Sequence, residues 1–425
     1  VNRRPRAVVV VTGSELVRGE RADRNGPFLA AEALSHGLEP ARITIVGDAP
    51  QELEAAFHEG LEADACLVSG GLGPTHDDRT VELLARAAGL ELVVDEALER
   101  EIESASRAVA ERLGRTYADF APGVTKQATR PASAVSIGLA GTAPGLVFRA
   151  PTGCVVVVLP GPPGELRRLW PNALASEPVR ELLERTRRPG RRVLRLFGVS
   201  ESAVARALAE AGGDGDGVEA TICARDFEIH VDLVVEPGAE ERAAALDAAL
   251  AERLEQWLFA RDERRVEELV LSLLAANGFR LATAESCTGG MVAARLTDVP
   301  GASATFVGGV VAYADDVKEA ELGVADELLA EHGAVSAEVA AAMAEGARRQ
   351  LGVDVAVAVT GVAGPGGGTP EKPVGRVYLH ASGPDGALAR MLDLPGERAQ
   401  VRLRATVTAL HLLRALLTGS RDEAV

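Results

Sequence analysis

Short apolar runs alternate with amphipathic stretches along most of the chain. Ala7–Thr12 is a β-branched run that reads as a buried strand, Phe28–Ser35 as a helix followed by Gly37, and Arg42–Val46 as a second strand. Gln51–Glu62 reads as a helix and Ala65–Val68 as an apolar strand running into Ser69-Gly70-Gly71. Asp95–Leu113 is a long amphipathic helix, an excursion from the sheet. Strands at Gly145–Arg149 and Val155–Leu159 complete this part before Pro160-Gly161-Pro162-Pro163-Gly164 breaks the chain. Such alternation predicts a doubly wound sheet with ligands at the carboxyl ends of its strands.

Arg187–Arg192, with Pro189-Gly190 inside it, reads as a linker. A smaller unit follows: strand Arg192–Phe197, helix Glu201–Ala211, an acidic Gly/Asp loop at Gly212–Gly217, strand Glu228–Val235 and helix Glu240–Leu258. It resembles a small α+β module of KH type. From Asp262 the α/β pattern restarts. Helix Arg265–Ala276 stops at Asn277-Gly278, and strand Arg280–Ala284 leads into Glu285-Ser286-Cys287-Thr288-Gly289-Gly290, which reads as the opening of a helix. Strand Thr305–Tyr313, helix Ala337–Leu351, strand Val353–Thr360, a glycine-rich loop, strands Val374–His380 and Ala387–Leu392 and a helix from Glu397 to about Leu417 follow. The expected fold class is therefore α/β: two doubly wound α/β domains, over 1–170 and 262–425, joined by a small α+β module over 187–260.

Length and charge narrow the function classes. At 425 residues the chain exceeds the roughly 100–200 residues of one domain. The formal net charge is −17, and residues 187–260 hold nine Arg against fourteen Asp or Glu, so a phosphate backbone is repelled rather than held. No nucleic-acid partner is expected, and the KH-like module reads as a spacer or dimerisation element. No window reaches about 18 apolar residues and no signal-peptide core follows the basic start, so no membrane role and a cytoplasmic location are expected. Cys66, Cys154, Cys223 and Cys287 lack CxxC spacing, which argues against a zinc site or a disulfide scaffold. Only three of the 45 basic residues are lysine: Lys126, Lys318 and Lys372. Arginine stays protonated near neutral pH whereas a desolvated lysine can surrender its proton, so each lysine asks why arginine would not serve.

Ser286 falls where a strand passes into a helix. A hydroxyl there would face unpaired helix N–H groups able to hold an oxyanion, with Thr288, Gly289 and Gly290 giving a substrate close access to the backbone. The alternatives are an ordinary N-cap serine and a neighbouring nucleophile, Cys287. Tyr313 ends the next strand and Lys318 lies five residues on; a lysine there could take the serine proton directly or through the tyrosine hydroxyl. The competing role for Lys318 is an ion pair with Asp315 or Glu321. Thr360-Gly361-Val362-Ala363-Gly364-Pro365-Gly366-Gly367-Gly368 can present backbone N–H groups to an anion, with Gly364, Gly366 and Gly367 as contact points, but no Gly-Lys-Ser/Thr follows as in a Walker loop. Arg398 and Arg402 are candidate phosphate clamps, or simply part of a solvated helix face.

Ala284–Gly290, Gly308–Tyr313, Gly333–Ser336 and the stretch from Thr360 to Gly375 resemble the competence/damage-inducible CinA family over about residues 262–418. The resemblance implies a nicotinamide mononucleotide (NMN) amidohydrolase that yields nicotinic acid mononucleotide and ammonia without a cofactor. It maps a Ser-Tyr-Lys set onto Ser286, Tyr313 and Lys318, and substrate contacts onto Thr360 and Arg398. It also implies a homodimer.

In the first domain, Thr12-Gly13-Ser14-Glu15 and Ser69-Gly70-Gly71-Leu72-Gly73-Pro74-Thr75-His76-Asp77-Asp78 close two strands at one sheet edge. Gly71, Gly73 and Thr75 suit a phosphate, and Glu15, Asp77 and Asp78 could hold a magnesium-type divalent metal on a pyrophosphate. The competing role for Asp77 or Asp78 is to cap the helix Arg79–Ala88. Lys126-Gln127-Ala128, Gly141–Gly145 and Leu159–Glu165 extend a resemblance to the molybdopterin-binding fold in the form fused within the CinA family, which implies metal-dependent ADP-ribose hydrolysis. Gly138 stands where that family usually has asparagine, and Ser14 where it has aspartate or threonine. Against the pyridine-nucleotide enzyme stand a pterin- or nucleotide-binding scaffold without turnover and a DNA-uptake accessory; the acidic charge disfavours the last.

Overall fold

The protein is described by a computed structural model covering residues 4–419. It divides after Gly190 into two compact units. In the first, strands β1 (Arg6–Thr12), β2 (Glu39–Val46) and β3 (Ala65–Ser69) are followed by a short separate ribbon, β4 (Leu92–Val94) with β5 (Thr129–Pro131), and then by β6 (Val135–Leu139), β7 (Pro144–Arg149) and β8 (Val155–Leu159). The main sheet runs β2-β1-β3-β8-β7-β6; β2, β1, β3 and β8 are parallel, while β7 and β6 return antiparallel. Continuous apolar strands arise because both faces are covered. Val8, Val10, Cys66, Val68, Val156 and Val158 enter one core, and Val9, Val11, Leu67, Val155 and Val157 enter the other. The period of two divides each strand between them.

The helix Glu96–Leu113 starts on Asp95, whose carboxylate accepts from the N–H groups of Ala97 and Leu98, and stops at left-handed Gly114, φ 62°. Helices at Ala121–Gln127, Pro163–Ala175 and Glu177–Glu184 and strands β4, β5 and β6 were not among the expected elements. All three helices have proline in the first turn, where its φ suits a helix start, and Pro163, in the stretch read as a chain break, opens one of them.

In the second unit, β9 (Gly190–Phe197), β10 (Val218–Arg225), β11 (Glu228–Val235) and β12 (Leu258–Ala260) form a sheet in the order β10-β11-β9-β12 with helices Glu201–Glu210 and Glu240–Arg253. Three expectations change here. Pro189-Gly190 lies at a strand start rather than inside a linker to Arg192. The last helix ends at Arg253 because the chain turns into β12. Strand β10 is new: its hairpin turns at Asp226-Phe227, both at positive φ without glycine, so the usual turn signal is missing.

The remainder of this unit holds β13 (Leu281–Glu285), β14 (Phe306–Val311), β15 (Val355–Gly361), β16 (Arg376–Gly383) and β17 (Gly386–Asp393), ordered β14-β13-β15-β16-β17. The first three are parallel and the last two antiparallel. Helices Val266–Asn277, Met291–Thr297 and Arg398–Thr418 belong to one face, and Ala337–Leu351 to the other. Among the described residues no helix is long and apolar enough to cross a membrane.

Candidate active site

Strand β13 lies between β14 and β15, all parallel, so three carboxyl ends come side by side. Glu285 is in register with Val311 on one side and Val359 on the other. The next residues are Ser286, Ala312-Tyr313 and Thr360. Two backbone bonds continue the pairing into the loops: Ser286 N–H donates to Val359 O at 2.8 Å, and Ala312 N–H donates to Glu285 O at 2.8 Å. Glycine is required at position 309, where a Cβ would stand 2.0 Å from Thr283 Oγ1. Ser286, 8% exposed, sits at the rim of the core.

Ser286 does not open the helix. A five-residue turn, Ser286–Gly290, intervenes, with Gly289 at φ 59° and Gly290 at φ 91°, and the helix begins at Met291. Three of the N–H groups expected there as oxyanion donors are already occupied. The buried Glu285 carboxylate accepts from Gly290 N–H (2.9 Å) and Val292 N–H (3.1 Å) through Oε2 and from Ala293 N–H (2.9 Å) through Oε1. Arg402, half-buried, is tied to the turn after Ser286 and not to a solvated face: Nε donates to Cys287 O (3.0 Å) and a terminal nitrogen to Thr288 O (2.7 Å). These roles of Glu285 and Arg402 escaped the sequence, although the acid beside Ser286 is visible there. Burial pushes the Cys287 thiol up to about 11, so thiolate, the reactive form, is scarce at neutral pH, which counts against Cys287 as a nucleophile. The Thr288 hydroxyl is fully buried and has no hydrogen-bond partner among the described residues.

Lys318 lies on the helix Asp315–Leu322, which was not expected, and is 1% exposed. Its Nζ donates to Asp315 Oδ1 (3.1 Å) and to the backbone oxygens of Tyr313 and Ala314 (both 3.4 Å). The structure therefore contains the Asp315 pair that sequence reasoning held as the alternative. Lys318 meets the carbonyl of Tyr313, not its hydroxyl. Tyr313, 57% exposed, instead accepts at Oη from Arg398 (2.6 Å), whose other terminal nitrogen donates to Gly364 O (2.7 Å). Arg398 thus links the tyrosine to the glycine-rich loop that also carries Gly366 and Gly367. Thr360, buried at 1%, donates its hydroxyl to Ala334 O at 2.7 Å. Among the described residues, no hydrogen bond joins Ser286 Oγ to Tyr313 or Lys318: the three share a strand-end neighbourhood without a closed relay.

In the first unit the expected metal trio does not assemble. Glu15 lines a cleft of about 590 Å³ with Thr12, Asp23, Asn25 and Ser69. Gly71, Gly73, Asp78 and Lys126 line a separate one of about 190 Å³. Among the described residues no three His, Cys, Asp or Glu side chains gather as metal ligands. Asp77 and Asp78 do not cap the following helix either; it starts at Thr80 with Arg79 at the N-cap, whose side chain caps no backbone N–H and pairs with Glu82 instead. Both carboxylates accept from the Thr75 hydroxyl, and Lys126 reaches Thr75 O. The hydrogen bond from Thr75 holds the Asp77 carboxyl below its ordinary range. Ser14 donates to Asp48 Oδ2 (2.5 Å), and Gly138 sits at φ 101°, a backbone conformation that suits glycine. Asn25 was missed: buried, it donates to Ser69 Oγ (2.9 Å) and Gly161 O (2.7 Å) and so ties the strand-end loops together.

Fold and site together define a mixed α/β protein in which a small KH-like module stands in the chain between two sheets with ligand-type loops at their strand ends. Family models agree: one for a probable molybdopterin binding domain matches residues 8–179, one for the KH domain of damage-inducible protein CinA matches 191–260, and one for the CinA C-terminal domain matches 263–417. The chain is 44% identical over 422 residues to a CinA-like protein of Mycolicibacterium vanbaalenii, covering 97% of this chain and 99% of the relative. It is 45% identical over 433 residues to one of Mycobacterium avium, covering 98% and 99%. Among solved structures, the competence/damage inducible protein CihA of Agrobacterium tumefaciens is 41% identical and covers 37% of this chain and 99% of its own, with a TM-score of 0.35. The chain belongs to the CinA family.

Proposed function

We propose that the C-terminal part hydrolyses the carboxamide of nicotinamide mononucleotide to nicotinic acid mononucleotide and ammonia. The observation that carries the reading is the convergence of Ser286, Tyr313 with Arg398, and Thr360 at three adjacent strand ends. Ser286 Oγ attacks the amide carbon, forming a C–O bond as its proton passes to a base. Collapse breaks the C–N bond, and the leaving nitrogen takes a proton to depart as ammonia. Water then cleaves the acyl ester, releasing carboxylate and restoring the hydroxyl.

Lys318 is the candidate base, and its Nζ must turn from Asp315 toward Ser286 or act through Tyr313. A substrate phosphate that engages Arg398 would compete for the guanidinium now bonded to Tyr313 Oη. This gives the tyrosine hydroxyl a reason to be released only when a nucleotide is bound.

For the first unit, Glu15, Asp77 and Asp78 do not fit the divalent metal that ADP-ribose hydrolysis would need, since they are not gathered. No hydrolytic step is derived there, and nucleotide or pterin binding is the reading its clefts support. The test is ammonia release from nicotinamide mononucleotide by the full chain, with the acid product followed by chromatography, before and after EDTA. Turnover unaffected by chelation is expected. No ammonia, or turnover abolished by EDTA and restored by metal, overturns the proposal.

A further inference from the structure

We propose that Glu285 is a positioning residue for Ser286, working with Arg402 to hold the turn Ser286–Gly290 from opposite sides; this rests on the reading of Ser286 as the nucleophile. Glu285 is 1% exposed, and its carboxylate accepts three backbone N–H groups, those of Gly290, Val292 and Ala293, at 2.9–3.1 Å. A buried carboxylate is costly unless hydrogen-bonded, and here both oxygens are used. Arg402 does the converse from the helix Arg398–Thr418, donating to the carbonyls of Cys287 and Thr288. Gly289 and Gly290, both at positive φ, give the turn the freedom that these contacts remove. The anion takes the N–H groups on the helix side and the cation takes the C=O groups of the turn. Ser286 itself is anchored by its N–H to Val359 O, so the backbone that carries the nucleophile is held on each side of its Cα.

Two consequences separate this role from others. The N–H groups bound by Glu285 are unavailable to an oxyanion, so Glu285 acts through geometry and does not touch the substrate. Both of its oxygens are engaged as acceptors of backbone N–H groups, which argues against a role as proton carrier. Glu285→Gln keeps the shape but turns an amide NH2 toward a backbone donor, which loosens the turn. The expected result is a fall in kcat on the order of 10²-fold, the scale of a misplacement of about 1 Å, with KM within about threefold and the pH–rate profile unmoved. Arg402→Lys, able to keep one of two bonds, should lose less than Arg402→Ala.

The experiment measures kcat, KM and the pH profile of the full chain at a temperature where thermal melting shows each variant folded. It also measures the rate at which a fluorophosphonate probe labels Ser286, read by mass spectrometry. Labelling slowed in step with kcat supports the proposal. Unchanged kcat and labelling in folded Glu285→Gln overturn it, as does loss of a limb of the pH profile, which would make Glu285 the proton carrier. If the wild-type chain releases no ammonia, the amidase reading fails while labelling still decides the positioning role; absence of labelling at wild-type Ser286 sinks both.

Discussion

Glu228 offers the sharpest quantitative test. It begins β11, is 4% exposed, and lies between two histidines: His411 Nε2 at 2.9 Å from Oε1 and His230 Nε2 at 3.4 Å from Oε2. His411 stacks on Phe197 at 3.8 Å between ring centroids and meets the edge of Phe259 at 4.7 Å. Burial by itself raises the Glu228 carboxyl, but the hydrogen bonds from His230 and His411 outweigh it and bring the value down to about 2 from an ordinary 4.5. At 1.36 kcal/mol for each power of ten in acidity, the bonded carboxylate contributes roughly 3 kcal/mol. Its folded pKa is depressed, so this stability is present above about pH 4.5 and is lost as pH falls from there toward 2.

Glu228→Gln should therefore cost roughly 3 kcal/mol at pH 7, and the gap to wild type should close progressively in acid. Urea denaturation followed by Trp257 fluorescence reads the second unit, since the only other tryptophan, Trp170, belongs to the first; a Trp170→Phe background isolates the signal. A gap that is absent at pH 7, or equally large at pH 7 and pH 3, would refute the reasoning.

Three further outcomes follow from the site. Ser286→Ala should abolish ammonia release while Cys287→Ser keeps most of it, because burial pushes the thiol up to about 11; the reverse pattern in a discontinuous ammonia assay would move the nucleophile to Cys287. Lys318→Arg should fail nearly as badly as Lys318→Ala, by on the order of 10²–10⁴-fold, if Lys318 is the general base. Near-wild-type turnover in the arginine variant would reduce Lys318 to the partner of Asp315 seen in the structure. Nicotinamide riboside, which lacks the phosphate, should be turned over faster when inorganic phosphite is added, and Tyr313→Phe should lose that response. Phosphite-independent riboside turnover would show that Arg398 does not hold Tyr313 back.

Much of the architecture is legible along the chain because the strands of both large sheets are continuous apolar runs and the long helices carry strong start and stop residues. Val155–Leu159 and Ala337–Leu351 fall where their apolar pattern puts them, and Asp95 and Gly114 bound their helix by local chemistry that needs no partner. Strand β10 is not legible, although Val218, Ala220 and Ile222 alternate with outward residues, because the turn that pairs it with β11 carries no glycine and so gives no hairpin signal. The rare lysine, the serine at a strand end and the glycine-rich loop point to one neighbourhood, because parallel neighbours bring their carboxyl ends together whatever the side chains are. Which group touches which is a matter of a few ångströms, and local sequence has no hold on it. Only the folded chain turns Lys318 to the Tyr313 carbonyl and Asp315, gives the Tyr313 hydroxyl to Arg398, fills the helix start after Ser286 with Glu285, and sends Glu15 and Asp78 to different clefts. The Tyr313–Arg398 contact joins residues 85 positions apart, while those of Lys318 and Glu285 are local in sequence but are chosen by packing and by the need of each buried charge for a partner.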